Sequence, residues 1–84
     1  MAIERIRVIG LGKVGELVAH LLVGSGYAVV GADVRARDDL GFPVKVLDVA
    51  DRAALRDALD DVDAVVSCLP YHCNVPVAEA AAAA

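Results

Sequence analysis

The sequence predicts a doubly wound α/β domain built on a parallel sheet. Four apolar runs of strand length, rich in valine or isoleucine, lack the in-and-out alternation of a half-solvated sheet. Segments with helical periodicity separate the first run from the second and the third from the fourth. Strands that alternate with helices join through right-handed crossovers, and the simplest strand order is 3-2-1-4, with helices on both faces.

The four runs are predicted to be strands buried on both faces. They are Ile6 to Ile9, Tyr27 to Ala32, Val44 to Leu47 and Ala64 to Leu69. The link between the second and third runs, VRARDDLGFP, is short for a parallel return, which usually takes a dozen or more residues. It has room for about one helical turn or for an extended loop.

The predicted helices follow from periodicity and capping residues. The first ends at Gly24-Ser25-Gly26, and its apolar face comprises Val14, Leu17, Val18, Leu21 and Leu22. The second is capped by Asp51, and its apolar face comprises Ala54, Leu55, Ala58, Leu59 and Val62, with Arg52, Arg56, Asp57 and Asp60 facing solvent. Pro70 ends the fourth strand, and a final helix is capped by Asn74 with Pro76 in its first turn.

Composition limits the partners that the chain can have. Its 84 residues make one domain, and a hydrophobic fraction of 58% leaves apolar surface for a second copy or for the rest of a longer polypeptide. The run from Ala80 to Ala84 has no helix stop signal, which favours the longer polypeptide. A net charge of −4 disfavours nucleic acid. No apolar stretch could span a membrane or act as a signal peptide, so a cytoplasmic location is expected.

The two cysteines, Cys68 and Cys73, have neither redox-pair nor zinc-site spacing. We expect both to be reduced thiols, with Cys68 packed inside its apolar run. His20 is expected to face solvent.

Three glycines mark the junction of the first strand and first helix. In VIGLGKVG, Gly10 permits a tight turn, Gly12 lets backbone approach a diphosphate, and Gly15 lets the helix pack against the strand. The first N–H groups of such a helix lie beyond the strand and attract an anion. A dinucleotide site is therefore predicted, with Lys13 and Val14 of the first turn as further cofactor-binding candidates.

Asp33 supports the same site independently. It ends the second strand 18 residues after Gly15, where a carboxylate accepts hydrogen bonds from an adenosine ribose and repels a 2′-phosphate. The following Val34 and Arg35 are also candidates. Arg35 or Arg37 could reach a 2′-phosphate if Asp33 turned away, but for each alone a solvated loop position is expected, so NAD is favoured over NADP. Asp48, after the third strand, has two open roles: an adenine contact or a helix cap.

The motifs VIGLGKVG, LDVADRAALRDALDDVDAVVSCLP and YHCNVPVAEAAAAA together resemble the N-terminal cofactor-binding region of saccharopine dehydrogenase-like oxidoreductases. The resemblance covers nearly the whole chain, and Leu69-Pro70 with Tyr71 and His72 is its more specific part. It implies that Asp48 and Val49 lie by the adenine. It also implies that Cys68, Leu69, Pro70 and Tyr71 lie toward the nicotinamide.

Residues 1–84 would then form the NAD(P)-binding Rossmann domain of a longer dehydrogenase that transfers hydride to or from an imine or secondary amine. The family's catalytic residues lie beyond residue 84, so no catalytic residue is assigned, His72 included, and the fragment alone is expected to bind without turnover. The alternative is a regulatory nucleotide-sensing module resembling those that gate potassium transport. The SCLPYH turn is unexpected in such modules and favours the oxidoreductase.

Overall fold

A computed structural model describes residues 3–69 and 77–82 as a four-stranded parallel sheet flanked by helices. The strands are β1 (Arg5–Ile9), β2 (Ala28–Asp33), β3 (Val44–Val46) and β4 (Ala64–Ser67), in the order β3-β2-β1-β4. Helix α1 (Lys13–Gly24) joins β1 to β2, and α2 (Arg52–Asp60) joins β3 to β4. Residues 77–82 are helical. The predicted fold class and strand order are confirmed.

Each face of the sheet carries its own apolar cluster. On the α1 face, Val8 and Val29 pack with Leu11, Ala19 and Leu40. The cluster on the α2 face is formed by Ile9, Ala32, Leu47, Leu55, Ala58, Leu59 and Val77. Adjacent residues of β1 point to opposite faces, as pleating requires, so the central strands contribute to both clusters.

Burial on both faces is confirmed for β1 and β2 but is wrong for β3 and β4. Lys45 and Val46 of β3 are exposed, and all four residues of β4 are only half-buried. Within residues 3–69 and 77–82, β3 and β4 each pair with one neighbouring strand. Strand β4 is also shorter than predicted, since it ends at Ser67 and not at Leu69.

The buried face of α1 differs from the predicted one. Its buried residues are the small ones, Gly15 and Ala19. Val14, Leu17 and Leu21, which were expected to be buried, are exposed by 67, 60 and 62%. Val18 and Leu22 of the same stripe are half-buried, and Leu22 packs on the α1-face cluster. Small residues permit a close helix–sheet approach, which centres the buried face on Gly15 and Ala19.

The short link between β2 and β3 is an extended loop without a helical turn. Leu40 is buried and Phe42 is half-buried, and both pack on the α1-face cluster. The ring of Phe42 also packs edge to face against the ring of the exposed His20, with the two ring centroids 6.2 Å apart. Two large apolar side chains thus cover the sheet where a crossover helix would otherwise lie.

Both ends of α2 are held by side chains. The Asp51 carboxylate accepts a hydrogen bond from the Ala54 amide at 3.1 Å, which confirms the predicted cap. At the other end, the buried Arg7 donates from Nε to the Ala58 carbonyl at 2.8 Å and from a terminal nitrogen to Asp61 at 2.8 Å. Sequence patterning did not identify Arg7 in this role. The predicted Asn74 cap, Pro76 and the Pro70 break lie outside the described residues.

Candidate functional site: the glycine loop and its neighbours

The candidate site lies at the carboxyl end of the sheet, where β1 runs into α1. The Gly10 amide donates to the carbonyl of Ala32 on β2 at 2.9 Å. On the other side of β1, the Cys68 amide donates to the Ile9 carbonyl at 2.8 Å. The loop therefore starts from a point that both neighbouring strands hold in place.

Two of the three loop glycines are required by the local geometry. Gly10 has φ of +88°, a conformation that side chains disfavour, and a Cβ there would lie 3.0 Å from Leu69 Cδ2. A Cβ on Gly15 would overlap the Gly10 carbonyl oxygen and lie 2.8 Å from the carbonyl carbon. The turn and the close helix approach thus both depend on glycine.

Gly12 differs, because a Cβ there would meet nothing within 4 Å. It is the N-cap residue of α1 and provides no side-chain hydrogen bond to the helix. The first intrahelical donor is the Glu16 amide, which reaches the Gly12 carbonyl at 2.8 Å. The amides of Lys13, Val14 and Gly15 precede it and have no intrahelical acceptor. The space beside Gly12 is open, whereas Gly15 is buried against the Gly10 carbonyl. Helix α2, by contrast, is capped by a carboxylate.

Asp33 joins the end of β2 to the glycine loop. Its Oδ2 accepts a hydrogen bond from the Leu11 amide at 2.6 Å, and its Oδ1 accepts one from the Arg35 amide at 3.0 Å. Each carboxylate oxygen has two lone pairs, so Asp33 retains acceptor capacity. Val34 and Arg35 are exposed. Because Leu11 lies between Gly10 and Gly12 in the sequence, the Asp33 carboxylate lies against the glycine loop.

Arg37 is held against the loop, and the expectation that it is solvated is wrong. Its guanidinium donates to the Leu11 carbonyl at 3.0 Å and forms two hydrogen bonds with Asp39, at 3.0 and 3.1 Å. It also meets a Glu16 oxygen at 3.4 Å. The side chain is only 26% exposed. Glu16 and Asp39 carried no sequence signal, because their relation to Arg37 depends on how α1 and the β2–β3 loop come together.

Asp48 follows β3 and is exposed. Its carboxylate accepts a hydrogen bond from the Ala50 amide at 2.9 Å, within its own turn. Helix capping belongs to Asp51, which removes one of the two roles left open for Asp48. Val49 is half-buried and packs against the α2-face cluster.

Cys68 and Leu69 lie beside Gly10, on the opposite side from Asp33. A Cβ on Gly10 would be 3.2 Å from the Cys68 carbonyl carbon. Cys68 is a half-buried free thiol, and burial raises its pKa above the ordinary value. Pro70, Tyr71, His72 and Cys73 lie outside the described residues.

The site and a groove near the end of α2 are at opposite ends of the sheet. A groove of about 320 Å³ lies by the amino end of β4, bordered by Asp63, Ala64 and Ala81. The glycine loop instead forms an open shelf at the carboxyl end, the edge at which open α/β sheets bind ligands. We therefore assign the candidate site to the loop and not to the groove.

The residues present fit a dinucleotide in two respects. Gly12, at the uncapped start of α1, leaves open the space that a side chain would fill, which suits a diphosphate. Asp33 stands beside that space as an acceptor for sugar hydroxyls.

No group of three or more histidine, cysteine, aspartate or glutamate side chains in the described part of the chain could hold a metal ion. Within residues 3–69 and 77–82, no helix has the length and hydropathy of a membrane span.

Comparisons with known proteins agree with this geometry. The model of the family described as the saccharopine dehydrogenase NADP binding domain matches residues 6–84. A short-chain dehydrogenase/reductase superfamily protein from Agrobacterium tumefaciens, solved with bound NAD, is 27% identical with a TM-score of 0.78. That match covers 95% of this chain and 29% of the other. Comparison with curated protein sequences gave no match.

A variant of uronate dehydrogenase from Agrobacterium tumefaciens, complexed with NAD, is 22% identical with a TM-score of 0.77. The match covers 98% of this chain and 37% of that one, and at this identity it shows the fold alone. The chain therefore spans roughly a third of the length of these two solved structures.

Proposed function

The chain belongs to the family of saccharopine dehydrogenase NADP-binding domains, and from this premise we propose that it is the N-terminal dinucleotide-binding domain of a saccharopine dehydrogenase-like oxidoreductase. The observation that carries the proposal is the uncapped start of α1 beside Asp33. There, free backbone donors and a carboxylate acceptor stand next to each other at the carboxyl edge of the sheet.

Each part of the site has a proposed task. The amides of Lys13, Val14 and Gly15, together with the positive end of the α1 dipole, bind the diphosphate. Gly12 leaves room for it, and Gly10 and Gly15 keep the loop compact. Asp33 accepts hydrogen bonds from the adenosine ribose, with Val34 and Arg35 at its border, so NAD is favoured over NADP.

The two ends of the cofactor are assigned by position at the same edge. Asp48 and Val49 follow β3 and are proposed to border the adenine. Cys68, Leu69 and Pro70 follow β4 and are proposed to border the nicotinamide. When bound, the nicotinamide supplies hydride transfer, and this chain binds and orients it.

The substrate and the catalytic residues are proposed to come from outside this domain. No acid, base or nucleophile is assigned here, and the solved structures compared above are roughly three times as long as this chain. The exposed apolar stripe of Val14, Leu17 and Leu21 is available to the rest of a longer polypeptide or to a second copy.

Titration calorimetry with NAD, NADP, ADP-ribose and ATP tests the proposal. The decisive variant is Gly12→Asp. An aspartate there can cap α1 and stabilise the fold by a few tenths of a kcal/mol, while its carboxylate occupies and repels the diphosphate position. We expect NAD binding to be lost while the urea midpoint stays equal or rises.

The outcomes separate the alternatives. Heat with NAD and ADP-ribose in the wild type, absent in Gly12→Asp, supports the proposal. Equal binding of ATP and NAD would favour a nucleotide-sensing module, and no heat with any of the four would overturn dinucleotide binding altogether.

A further inference from the structure

Arg37 connects three segments that are far apart in the sequence. Its guanidinium bonds the Leu11 carbonyl in the glycine loop, Glu16 in the first turn of α1, and Asp39 in the β2–β3 loop. The two contacts with Asp39 are bidentate, at 3.0 and 3.1 Å, which is the geometry in which arginine binds a carboxylate most strongly. Arg37 therefore has a defined position at the site.

Arg37 and the Asp33 carboxylate both hydrogen-bond the backbone of Leu11. Asp33 binds the N–H of Leu11, and Arg37 binds its C=O. On the proposed function, Asp33 binds the adenosine ribose, and the shared contact with Leu11 puts Arg37 on the ribose side of the site.

An unpaired arginine at this place would bind a 2′-phosphate, because guanidinium and phosphate form bidentate charge-assisted pairs. Here four of the five N–H donors of Arg37 are directed at two carboxylates and a carbonyl. Hydrogen bonding to Arg37 lowers the pKa of Asp39, so that carboxylate is charged at neutral pH. A 2′-phosphate carries about −1.5 to −2 charges and would face Asp33, Glu16 and Asp39 together.

Resting on the proposed function, we propose that Glu16 and Asp39 are specificity-determining residues. By holding Arg37 on the glycine loop they keep its charge from a 2′-phosphate, and the site selects NAD over NADP. The neutral 2′-hydroxyl of NAD needs no arginine and is bound by Asp33.

The test measures the Kd of NAD and of NADP for the wild type, Glu16→Gln, Asp39→Asn and the double variant. We expect each single substitution to improve NADP binding relative to NAD by about two- to fivefold, because each removes one exposed ion pair to Arg37 and such pairs are weak. The double variant should improve it by about tenfold. The affinity for NAD should change little, which also shows that the variants are folded.

Asp38→Asn is the matched control. Asp38 is the exposed neighbour of Asp39, and it has no hydrogen bond or ion pair to Arg37 in the part of the chain that the structure describes. It loses the same charge at almost the same place, so we expect less than about a twofold effect. Adding Arg37→Gln to the double variant should abolish its gain in NADP binding.

Two results would overturn the inference while leaving NAD binding intact. One is an equal gain in Asp38→Asn and Asp39→Asn, which would mean a general charge effect. The other is a loss of NADP binding when Arg37→Gln is made in the wild type, which would mean that Arg37 already binds the phosphate. If no dinucleotide binds the wild type, the proposed function fails and this inference fails with it.

Discussion

Replacing Gly15 by alanine sets two physical effects against each other. Alanine favours a helix by up to about 1 kcal/mol over glycine, because glycine loses more backbone freedom on folding. The new Cβ, however, would overlap the Gly10 carbonyl oxygen and stand 2.8 Å from its carbon. The obstacle is backbone that is bonded to β2 through the Gly10 amide, so it cannot yield as a side-chain end would.

The steric term is the larger of the two. Forcing extra volume into a packed site costs about 1–3 kcal/mol when side chains can adjust, and a fixed backbone places this site at or above the upper end. With the helix preference subtracted, we expect Gly15→Ala to lower the free energy of unfolding by about 2 kcal/mol. In a domain of this size that lowers Tm by about 8–16 °C.

Gly24→Ala is the matched control in the same helix. Gly24 is the last residue of α1, and a Cβ there would meet nothing within 4 Å. The helix preference then acts alone, so this variant should be stabilised by about 0.5 kcal/mol. Urea titration of both variants, with midpoint and slope fitted separately, gives the comparison.

The two variants should therefore move in opposite directions. Gly15→Ala should also weaken NAD binding, because α1 must move away from the loop. A Gly15→Ala protein as stable as Gly24→Ala, with unchanged NAD affinity, would refute the close approach of α1 to β1 and with it the geometry of the site.

Three further predictions concern other parts of the fold. Arg7→Lys should cost about 2 kcal/mol in urea unfolding, because lysine cannot replace the three contacts of the buried guanidinium, and an unchanged midpoint would contradict this. Hydrogen bonds from the backbone amides of Arg5 and Glu4 lower the pKa of Asp63 in the folded state. The stability that the Asp63 carboxylate contributes is therefore fully present above its ordinary pKa of 3.8, and it is lost as the pH falls through the lower pKa of the folded state. Urea midpoints of Asp63→Asn, measured against pH, should lack that loss. Because burial raises the pKa of Cys68, a Cys73→Ser protein should react with iodoacetamide at pH 8 more slowly when folded than in urea, and equal rates would argue against the burial.

Local chemistry was enough to predict the alternation of strands and helices, the glycine end of α1 and the Asp51 cap of α2. Each of these depends on residues within a few positions of one another: an apolar run bounded by glycine, a period of 3.6 residues, or an aspartate three residues before the amide that it caps. The same holds for the glycine loop, since its spacing and its place between strand and helix are visible in a single stretch. Near neighbours in the chain are near neighbours in space, so the sequence carries this information directly.

Contacts between residues far apart in the sequence could not be predicted from it and were found only in the tertiary structure. The period of α1 marked a broad apolar stripe, and only packing against the sheet selected Gly15 and Ala19 as its buried part. Arg7 meets Ala58, which is 51 residues away, and Arg37 meets Glu16, which is 21 residues away. Such pairs have no short-range signature, because a charged side chain in a loop or strand has the same local pattern whether its partner is water or a carboxylate brought to it by the fold.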